Sequence, residues 1–276
     1  MSFVFMETAV VYMVAGMSSR FGGRIKQFAD VGPDGESLIE YSMNQALQAG
    51  FDKIIFIVGE KTEDSFRKKF DDLYRGVKIE YAKQTYDVKI RDKPWGTVDA
   101  LLCAKKFLNC PFVVCNGDDI YGIEAFRKLR DFLIEEGEES ATIGYSLNNS
   151  MPEDGTVNRG IFEVNNGEVV KIVETFNFGR EDFDRLELSG DDMCSMNIFA
   201  FRKSDIVALE KILNDFKKEH KSDRIAECLL PTEVSGLIQK DLMSVRIFPS
   251  KDVCIGITNP EDEEKVKMLL KEYFRV

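Results

Sequence analysis

Two short segments of this 276-residue chain combine residue types suited to handling phosphate. The first, AGMSSRFGGRIK over residues 15–26, places Arg20, Arg24 and Lys26 within seven residues of one another. Its glycines free backbone N–H groups to approach phosphate oxygens, as in other anion-binding loops. It carries neither the GK[ST] of a P-loop nor the GxGxxG of a dinucleotide fold, and a solvated turn with incidental basic residues would look similar. The second, VVCNGDD over residues 113–119, is an apolar run that ends in Asp118 and Asp119. Adjacent carboxylates at a strand end hold a hard divalent cation against phosphate oxygens, while an aspartate there also caps a following helix. A phosphate cradle and a metal-binding carboxylate belong to one site, so the two segments together argue for nucleotide chemistry. The single histidine, His220, sits in the charged run KKEHKSD and is expected to be solvated, which leaves a Ser-His-Asp or Cys-His mechanism without a base.

The elements that must position these segments follow from hydrophobic patterning. Residues 8–15 and 53–59 are continuous apolar runs rich in β-branched residues, as in strands buried on both faces of a parallel sheet. Further strands are expected at 77–82 and 112–115. Helices are expected before Gly50, over 62–72 and from about Gly96. That alternation predicts a doubly wound α/β sheet, in which ligands collect at the carboxyl ends of the strands. In the second half, strands are expected at 141–146, 160–164, 169–174 and 194–201, with Asn166-Gly167 as a hairpin turn. Helices are expected over 204–220 and 225–239, then strands at 244–248 and 253–257 and a last helix from Pro260. No linker separates domains. The expectation is one domain, residues 1–276, with a nucleotide-binding half (1–146) and an acceptor-binding half (147–276).

Lys and Arg number 37 against 48 Asp and Glu, a net charge of −11, which disfavours binding a nucleic-acid backbone. Six cysteines lie scattered without a CxxC pair, which reads as reduced core residues in a cytoplasmic protein. No signal peptide or membrane span is legible. The pattern leaves a homo-oligomer open.

The succession AGMSSRFGG-x-x-K, KPWGT-x-x-ALL and NGDD-x-YG, with the later NRGIFEV and SMNIFAF, resembles the nucleotidyltransferase superfamily that includes sugar-1-phosphate nucleotidylyltransferases and phosphocholine cytidylyltransferases. The resemblance implies a Rossmann-like, mostly parallel mixed sheet flanked by helices (GT-A-like). It implies an enzyme that transfers NMP from an NTP to a small phosphorylated acceptor, by in-line attack at the α-phosphorus with Mg2+ bridging phosphates. Carried over by position, Ala15, Gly16 and Ser19 bind the nucleotide, Arg20 engages the triphosphate and Lys26 stabilises its charge. Gln84 reads the base, Gly96 and Thr97 close over it, and Asp118 binds metal and serves catalysis. Gly160 and Glu174 contact the acceptor, although Glu174 also reads as an exposed strand carboxylate. Trp95 is expected only to pack the loop.

Three positions depart from the family pattern. Ser18 replaces a second glycine, Thr175 follows Glu174 where sugar-specific members often have a lysine for the acceptor phosphate, and Gly256 stands where many members carry a second metal-binding aspartate. Asp252 is the nearest replacement on that segment, yet four residues along a strand span about 13 Å. Asp119, next to Asp118, would point the other way on an extended backbone. A metal-dependent glycosyltransferase and a non-catalytic nucleotide- or sugar-phosphate-binding regulator are the alternatives.

Overall fold

The computed structural model describes residues 6–16, 21–152, 155–257, 260 and 262–273. Strands β1 (Ala9–Met13) and β2 (Lys53–Val58) lie side by side in parallel, nearly every residue buried. Successive side chains face opposite sides of the sheet. Val10, Tyr12, Ile54 and Phe56 therefore enter one apolar core while Val11, Ile55 and Ile57 enter the other. Strands β4 (Val77–Lys83) and β5 (Phe112–Asn116) extend this parallel unit on either side, and the two-residue β3 (Leu73–Tyr74) caps its edge.

The second half joins through β10 (Met193–Phe201), which runs antiparallel to β5. Beyond it come β7 (Ser140–Ser146), β11 (Val245–Ser250), β9 (Glu168–Phe178) and β8 (Val157–Asn165), giving ten strands in the order β3-β4-β2-β1-β5-β10-β7-β11-β9-β8. The sheet is mixed: parallel pairing is confined to β4-β2-β1-β5 and to β7 with β11. The β8–β9 hairpin turns through Asn166 and Gly167, both at positive φ (50° and 81°), as the sequence predicts.

Helices α1 (Leu38–Gln48), α2 (Glu63–Phe70) and α4 (Ile123–Ile134) cover one face; α3 (Thr97–Cys103), α6 (Asp205–Glu219) and α7 (Leu230–Ile238) cover the other. A one-turn helix, α5 (Leu147–Ser150), follows β7. The start of α1 is set by a capping box between Ser37 and Glu40. Helix α7 begins five residues later than expected. Residues 224–228 instead bond to the 92–98 loop, with Cys228 N–H donating to the Trp95 carbonyl at 2.8 Å, and Pro231 sits in the first turn of the helix.

A third, smaller apolar cluster organises the site. Strand β6 (Asp119–Ile120) pairs antiparallel with β12 (Ile255–Gly256), and Ile120, Ile255 and Ile257 pack with Phe21, Val31 and Leu38 against α8 (Asp262–Tyr273). This cluster ties the basic loop after β1 to the end of β5 and to the last helix. No helix among the described residues is long and apolar enough to cross a membrane.

Candidate active site

Strands β1 and β5 are neighbours in register, Met13 opposite Asn116, so the loops leaving their carboxyl ends emerge together. Gly117 N–H donates to the Met13 carbonyl at 3.1 Å, and a Cβ at Gly117 would overlap the Val14 side chain. That close approach brings the basic loop onto the carboxylates, where the Lys26 ammonium pairs with Asp118. Ser19 and Arg20 lie outside the described residues. Ala15 is half-buried and Gly16 exposed just past β1, and Gly59, whose Cβ would stand 2.7 Å from the Ala15 carbonyl oxygen, leaves room for that backbone.

Asp118 sits in the turn 117–118 rather than on an extended strand, and both Asp118 and Asp119 line the same cavity. The extended backbone on which the two were expected to point apart is therefore not present at Asp118. Asp119 is buried, and its Oδ2 accepts a hydrogen bond from the Asn116 amide at 2.9 Å. Beneath it the buried Tyr121 hydroxyl donates to the Met196 carbonyl at 2.8 Å and accepts from Asn116 N–H at 3.1 Å. Burial, reinforced by the charge of Asp118, pushes the Asp119 carboxyl up to about 6.

Asp252 is not brought to this place. Its carboxylate lies against Gly122 at the head of α4, where a Cβ on that glycine would stand 2.5 Å from Oδ2, and it does not line the cavity. The segment 253–257 carries its pairing only at Ile255 and Gly256, and there Gly256 stands opposite Asp119.

The cavity, about 710 Å3, runs from Asp118 and Asp119 past Thr97 to Gly160 on β8 and Glu174 on β9. Gly160 and Glu174 are cross-strand partners. A Cβ on Gly160 would stand 3.1 Å from Glu174 Oε1, so the glycine keeps the carboxylate open to the cavity. Burial raises the Glu174 carboxyl above its ordinary range. Directly opposite Thr175 stands Arg159, which lines the cavity. It donates to the carbonyls of Asn158 and Ser150, its buried Nε has no partner, and among the described residues it makes no ion pair. Arg180 differs: it spreads across the carbonyls of Asn148, Met151 and Pro152 and holds that loop in shape.

Gln84 is buried away from the cavity. Its amide nitrogen donates to the Gly96 carbonyl (3.2 Å) and to Asp99 (3.1 Å), which also pairs with Lys217. Gly96 requires a glycine: its φ is 98°, and a Cβ would stand 2.5 Å from the Cys228 carbonyl oxygen. Thr97 Oγ1 accepts from Leu230 N–H at 2.8 Å. The turn thus joins α3 to α7 with Thr97 at the cavity wall. Trp95 packs the loop as expected, under the Arg91 guanidinium (3.5 Å) and edge-on to Phe216. His220 caps α6 with its ring against Phe216, away from the cavity. The residues that sequence reasoning passed over are Arg159, inside the NRGIFEV segment, and Asn197, held at positive φ (57°) on the cavity wall by a bulge in β10.

A profile of the family described as nucleotidyl transferase matches residues 23–231. The chain belongs to this family. It is 28% identical over 142 residues to a UTP–glucose-1-phosphate uridylyltransferase, AglF, of Haloferax volcanii, a match covering 51% of this chain and 53% of that protein. The chain therefore spans about half the length of that curated relative. Three solved structures share the fold at low identity. A proposed glucose-1-phosphate thymidylyltransferase from Bacillus anthracis, in complex with sucrose, superposes with a TM-score of 0.68 at 14% identity over 96% of each chain. The inositol-1-phosphate CTP transferase from T. maritima gives 0.64 at 18% over 97% of each. HddC from Yersinia pseudotuberculosis, complexed with GMP-PN, gives 0.61 at 17% over 96% of this chain and 100% of that one. This nucleotidyl transferase thus has the helix-flanked mixed α/β sheet of the family, with Asp118, Asp119, Glu174 and Arg159 lining one cavity.

Proposed function

We propose that the protein transfers a nucleoside monophosphate from an NTP to a small phosphorylated acceptor that also carries hydroxyl groups, a sugar 1-phosphate or a phosphoalcohol, and releases pyrophosphate. The observation that carries this reading is the Lys26–Asp118 pair, which ties the loop after β1 to a carboxylate of the cavity that Asp119, Glu174 and Arg159 also line. The backbone at Ala15 and Gly16, with Ser19 and Arg20, receives the nucleotide. Lys26 lies where it balances charge on the phosphates as the acceptor oxygen bonds to the α-phosphorus and the bond to pyrophosphate breaks. Gly96, whose carbonyl Gln84 holds, sets the turn that brings Thr97 to the nucleotide end of the cavity. At the other end Glu174 accepts hydrogen bonds from acceptor hydroxyls, and Arg159 offers charge to the acceptor phosphate, a role in keeping with Thr175 opposite it. Holding both substrates in line accounts for most of the rate such a site supplies.

The donor set fits a divalent cation: hard carboxylate oxygens at a strand end beside the expected triphosphate, the composition Mg2+ prefers. When bound, Mg2+ would neutralise phosphate charge at Asp118. All six cysteines are free and five of them buried, in keeping with a cytoplasmic enzyme. One sheet built from both halves supports a single unit whose first half takes the nucleotide and whose second takes the acceptor. Asp118→Asn tests the reading of the site. It should abolish Mg2+-dependent pyrophosphate release while leaving the melting temperature near that of the parent, and full activity at limiting Mg2+ would show that the site is elsewhere.

A further inference from the structure

By the resemblance noted in the sequence, Gly256 stands where many members carry a second metal-binding aspartate. The antiparallel pairing of β6 with β12 sets Gly256 directly opposite Asp119. A Cβ added at Gly256 would overlap Asp119 Oδ1, so a side chain at 256 and the carboxylate of Asp119 compete for one place. Conformation does not demand glycine there, since Gly256 is not among the residues at positive φ. What excludes a side chain is the Asp119 carboxylate itself. From the cross-strand position, we propose that Asp119 supplies the second protein carboxylate for the divalent cation, in place of the residue that other members carry at 256. The inference rests on the reading of the site as divalent-metal-dependent.

The surroundings of Asp119 suit that role. Its Oδ2 is held by the Asn116 amide, and among the described residues Oδ1 accepts no hydrogen bond, which leaves one carboxylate oxygen without a donor in a residue that lines the cavity with Asp118. A ligand fixed by a supporting hydrogen bond is the usual arrangement in metal sites. Other carboxylates serve less well: Asp252 lies beside Gly122 and does not line the cavity, and Glu174 stands opposite Gly160 on the β8–β9 hairpin. Asp262, on α8, also lines the cavity and is included as a control.

The experiment is a titration of the full chain with Mn2+, read from the free-ion EPR signal and so independent of turnover. The parent is compared with Asp118→Ala, Asp119→Ala, Asp262→Asn and the exchanged pair Asp119→Ala/Gly256→Asp, with melting curves to report folding. Asp119→Ala should weaken Mn2+ binding about tenfold or more, since even supporting residues cost that much at a metal site. The exchanged pair should regain most of it. Parent affinity in Asp119→Ala would overturn the inference, as would loss in Asp262→Asn with none in Asp119→Ala. An exchanged pair that melts cooperatively but binds no better than Asp119→Ala would also overturn it. Failure of the metal reading itself looks different: the parent then takes up no Mn2+, or Asp118→Ala binds as well as the parent.

Discussion

The ammonium of Lys26 and the carboxylate of Asp118 form an ion pair that joins the loop after β1 to the loop after β5, although 92 residues separate them. Both side chains are only about one-fifth exposed, so the pair is weakly screened and removing one partner leaves the other charge uncompensated. Lys26→Ala should therefore melt somewhat below the parent but cooperatively, while its turnover at saturating NTP falls about a hundredfold or more, the loss typical of removing one group that stabilises developing charge. Steady-state kinetics with matched melting curves checks this, and parent-like turnover would remove Lys26 from the chemistry.

Gln84 is a buried strut as well as a candidate base reader. Gln84→Ala takes a donor from the Gly96 carbonyl and from Asp99 and should cost about 1–3 kcal/mol in chemical denaturation. Because the strut holds the turn that carries Thr97, the ratio of kcat/KM between NTPs should shift more than the maximal rate. Lower stability with an unchanged ratio would leave Gln84 a purely supporting role.

Glu174 should show a conflict between stability and function. Its carboxyl is raised by burial above the ordinary 4.5, so ionisation disfavours the folded state. The cost is absent below the unfolded value, appears as pH rises through it and is complete above the folded value. Glu174→Gln should accordingly melt higher than the parent at pH 8, with the gain vanishing as pH falls toward 4, while its acceptor KM rises. A gain independent of pH would contradict the assignment of the shift.

Arg159→Gln should raise the KM for the acceptor roughly ten- to a hundredfold, in line with about 1.5–3 kcal/mol for a hydrogen bond to a charged group, and leave the KM for NTP near the parent value. Arg159→Lys, which keeps the charge but not the fork, should fall between. Equal effects on both substrates would point to a general disturbance of the 150–159 loop.

The parallel unit was legible because β1 and β2 are unbroken apolar runs, and such runs fit only strands covered on both faces. NGDD stood out as a candidate because two carboxylates follow such a run directly, although an aspartate there also caps a following helix. The placing of Gly256 opposite Asp119 was not legible, because it depends on one turn at 117–118 and on the register of a two-residue ladder. Arg159 was hidden for a similar reason. Its relation to Thr175 exists only across the β8–β9 pair, whose register shifts twice along its length. The late start of α7 reflects tertiary bonds from 224–228 to the 92–98 loop that override a helical pattern in the sequence. Helix α4 places Phe126, Leu129, Phe132 and Leu133 on one face, a helical pattern in a stretch where no element was expected from the sequence.

The most direct test of the central claim is a matrix of NTPs against sugar 1-phosphates, phosphocholine and related phosphoalcohols, each reaction with Mg2+ and scored for pyrophosphate and for product mass. The account predicts that at least one pair yields pyrophosphate and an equimolar product in which the nucleoside monophosphate is joined to the acceptor phosphate, with none formed when the acceptor is omitted. Pyrophosphate from no pair, with nucleotide sugars consumed in its place by sugar transfer to an acceptor, would contradict it.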